Sequence, residues 1–272
     1  MTARWNHRTR WTRAALAGAV ALALALAVTG CADELDPSAG GAGDGVRGPV
    51  TVFAAASLTE SFTRLGTEFE TAHPGTTVTF SFAGSSALAT QVNQGAPADV
   101  FAAASPATMR AVTDAGNADG SPVTFARNQL VIAVPKGNPR SVSGLADLAR
   151  SGTKVALCAP QVPCGAAART ALDAAGVPLT PVTLEQDVKG ALSKVRLGEV
   201  DAALVYRTDA TAAASEVDAV EFPESAEAVN DYPIVVLRQA GNPAAAREFV
   251  AYVRSDRGRA ALSAAGFQPP RA

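Results

Sequence analysis

PVTVFAAASLTESFTRLGTEF (49–69) runs an apolar strand through three alanines and a serine straight into a helix. Leu58, Phe62, Leu65 and Phe69 recur at spacings of four, three and four, the period of one helical face. The same succession returns at VTFSF (78–82) and DVFAAA (99–104), each followed by an amphipathic stretch. A second series has its strands at LVIAVPK (130–136), KVALCAP (154–160) and DAALVY (201–206), and YPIVVL (232–237) is a last apolar strand before terminal helices. Alternation of this kind predicts an α/β fold with mostly parallel sheets flanked by helices. Two series in about 220 residues predict two lobes. The expected division is 49–128 with 232–272 as lobe 1 and 129–231 as lobe 2, the chain passing between them near Arg127–Leu130 and Asn230–Tyr232. Ligands of open α/β sheets lie beyond the carboxyl ends of the strands, which places the expected site in the cleft between the lobes.

A hydrophobic share of 48% supplies buried cores, and a net charge of −2 gives no basic field for nucleic acid. Any anion must therefore be held by local geometry. Arg4, His7, Arg8, Arg10 and Arg13 precede the apolar run AALAGAVALALALAV (14–28), so residues 1–30 read as an export signal, the run being short for a membrane span. The run ends in VTGC (28–31), which resembles the lipobox of bacterial lipoproteins and makes Cys31 the expected lipid-bearing residue; an ordinary secretory signal with an incidental cysteine is the rival reading. Residues 31–48, rich in Gly, Asp and Ala without periodicity, read as a flexible tether. Export puts Cys158 and Cys164, in CAPQVPC, in an oxidising compartment where a disulfide would close a short loop. Metal binding is the alternative, but beyond the signal the chain offers one histidine, His73, where a zinc site needs about four ligands.

The helix openings share small residues. Ser57 stands three residues before Glu60, the pattern of a capping box, and AGSSALATQV places Ser85 or Ser86 at the start of the next helix. QVPCGAAARTAL opens a helix after Gly165, and Asp187 reads as the N-cap of a helix with Val188, Ala191, Leu192 and Val195 inward. Helix N-termini carry unpaired N–H groups and about half a positive charge, so several aimed into one cleft make an anion site without lysine or arginine. Alanines and a hydroxyl let an oxyanion approach those amides closely. Most serines at helix starts only cap, as Ser105 before Pro106 is expected to do.

VTVFAAASLTE, FAGSSALATQVNQGAPADVFAAAS, QVPCGAAARTAL, EQDVKGALSKVRLGEVDAALVY and the terminal helix ending in GF together resemble the molybdate-binding periplasmic proteins that serve ABC importers. The likeness covers residues 49 to 270 in order. It implies the two-lobe periplasmic-binding-protein fold and an oxyanion, molybdate or tungstate, held without counter-charge in the cleft. By position, it implies the hydroxyls of Ser57 and Ser85, the backbone N–H groups of Cys164 and Val188, and the hydroxyl of Tyr206 as the ligand-binding set, with Ser86 replacing or joining Ser85. Gly84 leaves no extra hydroxyl at its position. The resemblance further implies a monomer on the extracytoplasmic face of the membrane, an ABC permease with its ATPase as partners, and neither cofactor nor bound cation. Sulfate binding and a non-transport oxyanion sensor are the alternatives. A serine hydrolase is disfavoured, since His73 lies in the turn AHPG (72–75), at the end of the strand layer opposite the site.

Overall fold

The computed structural model describes residues 46–271; the expected export signal, Cys31 and the expected tether up to residue 45 lie outside the described residues. The first series is β1 (Gly48–Ala55), a 3-10 turn (Ala56–Leu58), α1 (Thr59–Ala72), β2 (Thr76–Ala83), α2 (Ser85–Asn93), β3 (Val100–Ala102), α3 (Pro106–Asp114) and β4 (Ala118–Asn128). The second is β5 (Leu130–Pro135), α4 (Leu145–Leu148), β6 (Val155–Cys158), α5 (Pro163–Ala175), β7 (Thr183–Glu185), α6 (Val188–Arg196), β8 (Ala202–Tyr206), α7 (Arg207–Ala212) and β9 (Val217–Val220). After a 3-10 turn (Pro223–Ala228) come β10 (Asn230–Leu237), α8 (Pro243–Arg254) and α9 (Asp256–Ala264).

The strands form two five-stranded sheets, in the orders β2-β1-β3-β10-β4 and β7-β6-β8-β5-β9. In the first only β10 runs against the other four, and in the second only β5 does. Each sheet is thus mostly parallel, as expected, with one reversed strand beside its edge. The reversed strand is in both cases the one that arrives from the other lobe. β5 follows β4 across the single residue Gln129, and β10 follows the turn at Pro223–Ala228, which packs on α5. The two crossings are themselves paired, Asn230 opposite Asn128.

Period-two alternation lets β1 serve two cores: Val50, Val52 and Ala54 face α1, α8 and α9, while Phe53 joins Leu88, Phe101, Met109 and Val112 on the other face. The helical stripe read in the sequence is buried, and Phe62 and Phe69 meet Phe249 edge-on with ring centroids 6.0 and 5.4 Å apart. The second lobe packs Leu130, Ile132, Val155, Leu204 and Val205 under Ala171, Leu192 and Val195.

Two helix openings differ from the sequence expectation. Ser57 does not cap α1: it lies in the 3-10 turn, and Leu58 occupies the N-cap without a side-chain bond. The capping-box pattern is local, whereas the Ser57 hydroxyl has a buried partner from far along the chain, Tyr232. α5 begins at Pro163, two residues ahead of Gly165, because proline suits the first helical position. Gly165 is required there, since a Cβ would stand 2.0 Å from the Ala159 carbonyl oxygen. Asp187 and Ser105 do cap their helices, accepting from Gly190 N–H and Thr108 N–H.

Candidate functional site

Between the lobes lies a small pocket walled by Ala55, Ala56, Ser57, Ala83, Gly84, Ser85 and Ala104 from the first sheet's side and Val162, Pro163, Cys164, Asp187, Val188 and Tyr206 from the second. The cavity between these walls is ≈ 10 Å³, far below the roughly 300–1,000 Å³ of pockets for drug-sized ligands. The occupant is therefore small. No lysine or arginine lines the pocket, and its one charged wall residue, Asp187, turns Oδ1 onto Gly190 N–H, 2.9 Å away, at the head of its own helix.

The polar atoms facing this space come from elements that end or begin there. Cys164 is the second residue of α5 and Val188 the first of α6, so each carries one of the N–H groups a helix leaves unpaired. A disulfide joins Cys158 at the end of β6 to Cys164, with Cα atoms 5.7 Å apart, and braces the turn before α5. Ser85 opens α2 and is buried; its Oγ accepts from the Ala104 N–H at 2.9 Å. Ser86, one residue on, is only half-buried and does not line the pocket. Ser57 Oγ lies 2.8 Å from Tyr232 Oη, and Tyr206 Oη accepts from Asn230 Nδ2 at 2.7 Å.

Burial raises the pKa of the Tyr206 hydroxyl well above its ordinary value, with the neighbouring Tyr232 hydroxyl adding to the shift. Burial raises that of Tyr232 too, against the pull of its bond to Ser57. Both phenols keep their protons throughout the physiological range. Every hydroxyl at the site is neutral.

The lobes touch around the pocket. Lys189 Nζ on α6 meets Glu60 Oε1 and Oε2 of α1 at 2.7 and 2.8 Å, and Asp209 Oδ1 of α7 at 2.9 Å. Asp209 is fully buried, and the Lys189 ammonium is its one charged partner among the described residues. Gly84 faces the Gln186 carbonyl so closely that a Cβ would stand 2.3 Å from its oxygen. His73 sits at the far end of α1, against Phe69, about 21 Å from its start by the helical rise. No base serves Ser57 from there.

The structure therefore gathers Ser57, Ser85, Cys164, Val188 and Tyr206 around one space. It also brings in Asn128, Asn230 and Tyr232, which sequence reasoning missed. Their one sequence signal was position, at the places where the chain crosses between lobes.

A two-lobe α/β molecule with a small, donor-lined interlobe pocket is a solute-binding protein by architecture. The profile of bacterial extracellular solute-binding proteins matches residues 50–268, and the chain belongs to that family. It is 49% identical over 221 residues to the molybdate-binding protein ModA of Mycobacterium tuberculosis, covering 81% of this chain and 85% of that one. The molybdate-binding protein ModA of Escherichia coli is 33% identical over 231 residues, covering 81% and 89%. The solved periplasmic molybdate-binding protein of Azotobacter vinelandii superposes with a TM-score of 0.72 at 22% identity, over 82% of this chain and all of that one, which bears out the fold. These relatives are solute-binding proteins, so the chain is a binding protein rather than an enzyme, working outside the cytoplasm. No helix among the described residues is long and apolar enough to cross a membrane.

Proposed function

We propose that this chain captures molybdate, and tungstate with it, and delivers the anion to an ABC permease and its ATPase. The hydroxyls of Ser57, Ser85 and Tyr206 and the N–H groups of Cys164 and Val188 hold the oxyanion. Residues 1–30 direct export, Cys31 carries the lipid, residues 31–48 tether a monomeric two-lobe domain to the outer face of the membrane, and the lobes divide as 49–128 with 232–272 against 129–231. The observation that carries this reading is the convergence of Ser57, Ser85, Cys164, Val188 and Tyr206 from both lobes on a pocket lined by no lysine or arginine, in a chain 49% identical to a molybdate-binding protein. Five charge-assisted bonds at roughly 1.5–3 kcal/mol each are ample for micromolar or tighter binding after the entropy of closure is subtracted.

Titration calorimetry of the protein from residue 46 onward tests it. Molybdate and tungstate are expected to bind with comparable affinity and sulfate much more weakly. Equal affinity for sulfate, or no heat with molybdate, overturns the reading. Attachment is tested separately, because Cys31→Ala is expected to release the full chain from the membrane fraction with its affinity unchanged; a fully processed variant that stays membrane-bound removes Cys31 as the anchor.

A further inference from the structure

Two hydroxyls of the pocket, those of Tyr206 and Ser85, are backed by donors whose direction can be worked out. Asn230 Nδ2 lies 2.7 Å from the Ala104 carbonyl oxygen, which can only accept, so the amide nitrogen and not its oxygen faces this cluster. The same nitrogen is 2.7 Å from Tyr206 Oη, which must therefore accept, leaving the phenolic proton free for the pocket. The peptide of Ala104 also fixes Ser85, because its N–H gives to Ser85 Oγ at 2.9 Å and so turns that hydroxyl's proton outward. For Ser57 the chain is one step longer. Asn128 Oδ1 accepts from the Gln129 N–H at 3.0 Å, which points Asn128 Nδ2 at Thr208 Oγ1, 2.9 Å away, and at Tyr232 Oη, 3.5 Å away. The Tyr232 and Ser57 hydroxyls share the next bond at 2.8 Å, in which either can donate, so Asn128 and Tyr232 hold the Ser57 oxygen in place from behind. Asn128 and Tyr232 are both fully buried.

We infer that Asn230, Tyr232 and Asn128 are positioning residues that set which oxyanions the site accepts: they engage its hydroxyls from behind, Asn230 by donating to Tyr206, and so turn protons rather than lone pairs toward the ligand. A fully deprotonated oxyanion then finds a donor at each oxygen. A monohydrogen oxyanion brings a proton that finds no acceptor, and burying that unpaired donor is penalised. The inference rests on the proposed oxyanion function and adds the origin of its selectivity.

The test compares molybdate with hydrogen arsenate at pH 8, with selenate as a control that matches arsenate in shape, size and charge but carries no proton. Calorimetry or thermal shift is run on the protein from residue 46 onward and on Tyr232→Phe and Asn230→Ala. Tyr232→Phe keeps the ring that packs edge-on against Phe125, Tyr206 and Phe267, so it folds, and a melting curve checks both variants. The unmodified protein is expected to bind molybdate and show no response to hydrogen arsenate at millimolar concentration. In each variant molybdate is expected to weaken at least 5-fold while hydrogen arsenate binding becomes measurable, narrowing the ratio at least 10-fold. A purely structural role weakens all anions alike, so an unchanged ratio, or hydrogen arsenate still undetected in both variants, overturns the inference while leaving molybdate binding intact. If the unmodified protein binds no oxyanion, the functional reading fails first and the inference falls with it.

Discussion

Ser57 and Tyr206 line the pocket from opposite lobes, and each is a proposed donor to the ligand. Removing one such donor, by Ser57→Ala or Tyr206→Phe, is expected to cost about 1–3 kcal/mol of molybdate binding, roughly 5- to 150-fold. The Ser57 change has a second effect, because it leaves the buried Tyr232 hydroxyl without its 2.8 Å partner and should lower the melting temperature as well. Ser105→Ala is the matched control. Its Oγ caps α3 by accepting from Thr108 N–H and does not line the pocket, so only stability should fall, by about 0.5–2 kcal/mol. Calorimetry and thermal melts on the same three variants separate the effects; full-strength binding by both donor variants would remove these hydroxyls from the site.

At the scale of elements, the turn from β6 into α5 is the most constrained opening, with Pro163 at the first helical position, Gly165 against the Ala159 carbonyl and the Cys158–Cys164 bridge. A disulfide closing so short a loop contributes about 2 kcal/mol to stability. Because the proposed contact is the Cys164 N–H, replacing both cysteines by alanine should lower the melting temperature while weakening molybdate less than 10-fold. A loss beyond 100-fold, seen by calorimetry, would mean that the bridge itself holds the site. This opening also shows what sequence can and cannot reveal. Periodicity exposed the strands, the α1 stripe of Leu58, Phe62, Leu65 and Phe69, and the small residues where α2, α5 and α6 begin, because each is encoded within one or two turns. α5 starts three residues before the expected position because Pro163 suits the first helical position, and Ser57 is not a cap because its partner, Tyr232, is fixed by tertiary structure. Asn128 and Asn230 left no local pattern at all. They become neighbours only when β4 and β10 pair.

Over the whole molecule, two adjacent crossings at β4–β5 and β10 join the lobes, and Lys189 bridges them on the closed side. Burial by itself depresses the Lys189 pKa, but the Asp209 and Glu60 carboxylates more than offset it, so the ammonium stays charged. Burial pushes Asp209 up to about 6 in spite of Lys189, and Glu60 adds to the rise, with the Tyr206 and Tyr232 hydroxyls nearby remaining neutral. A carboxyl raised in this way favours the folded state below its ordinary value of 3.8, and that contribution is lost as the pH climbs through about 6. Two variants then part company. Glu60→Gln removes only the half-exposed interlobe arm, worth at most about 1 kcal/mol, so molybdate affinity should fall up to roughly 5-fold with the melting temperature of the ligand-free protein unchanged. Lys189→Met strands the buried Asp209 charge within its own lobe, which should cost about 3–5 kcal/mol of stability at pH 7.5. That deficit should shrink on going to pH 5, where Asp209 takes up a proton and no buried charge is left unpaired. Melting curves at the two pH values decide the matter, since a deficit as large at pH 5 as at pH 7.5 would show that Lys189 acts through packing and not through the Asp209 charge.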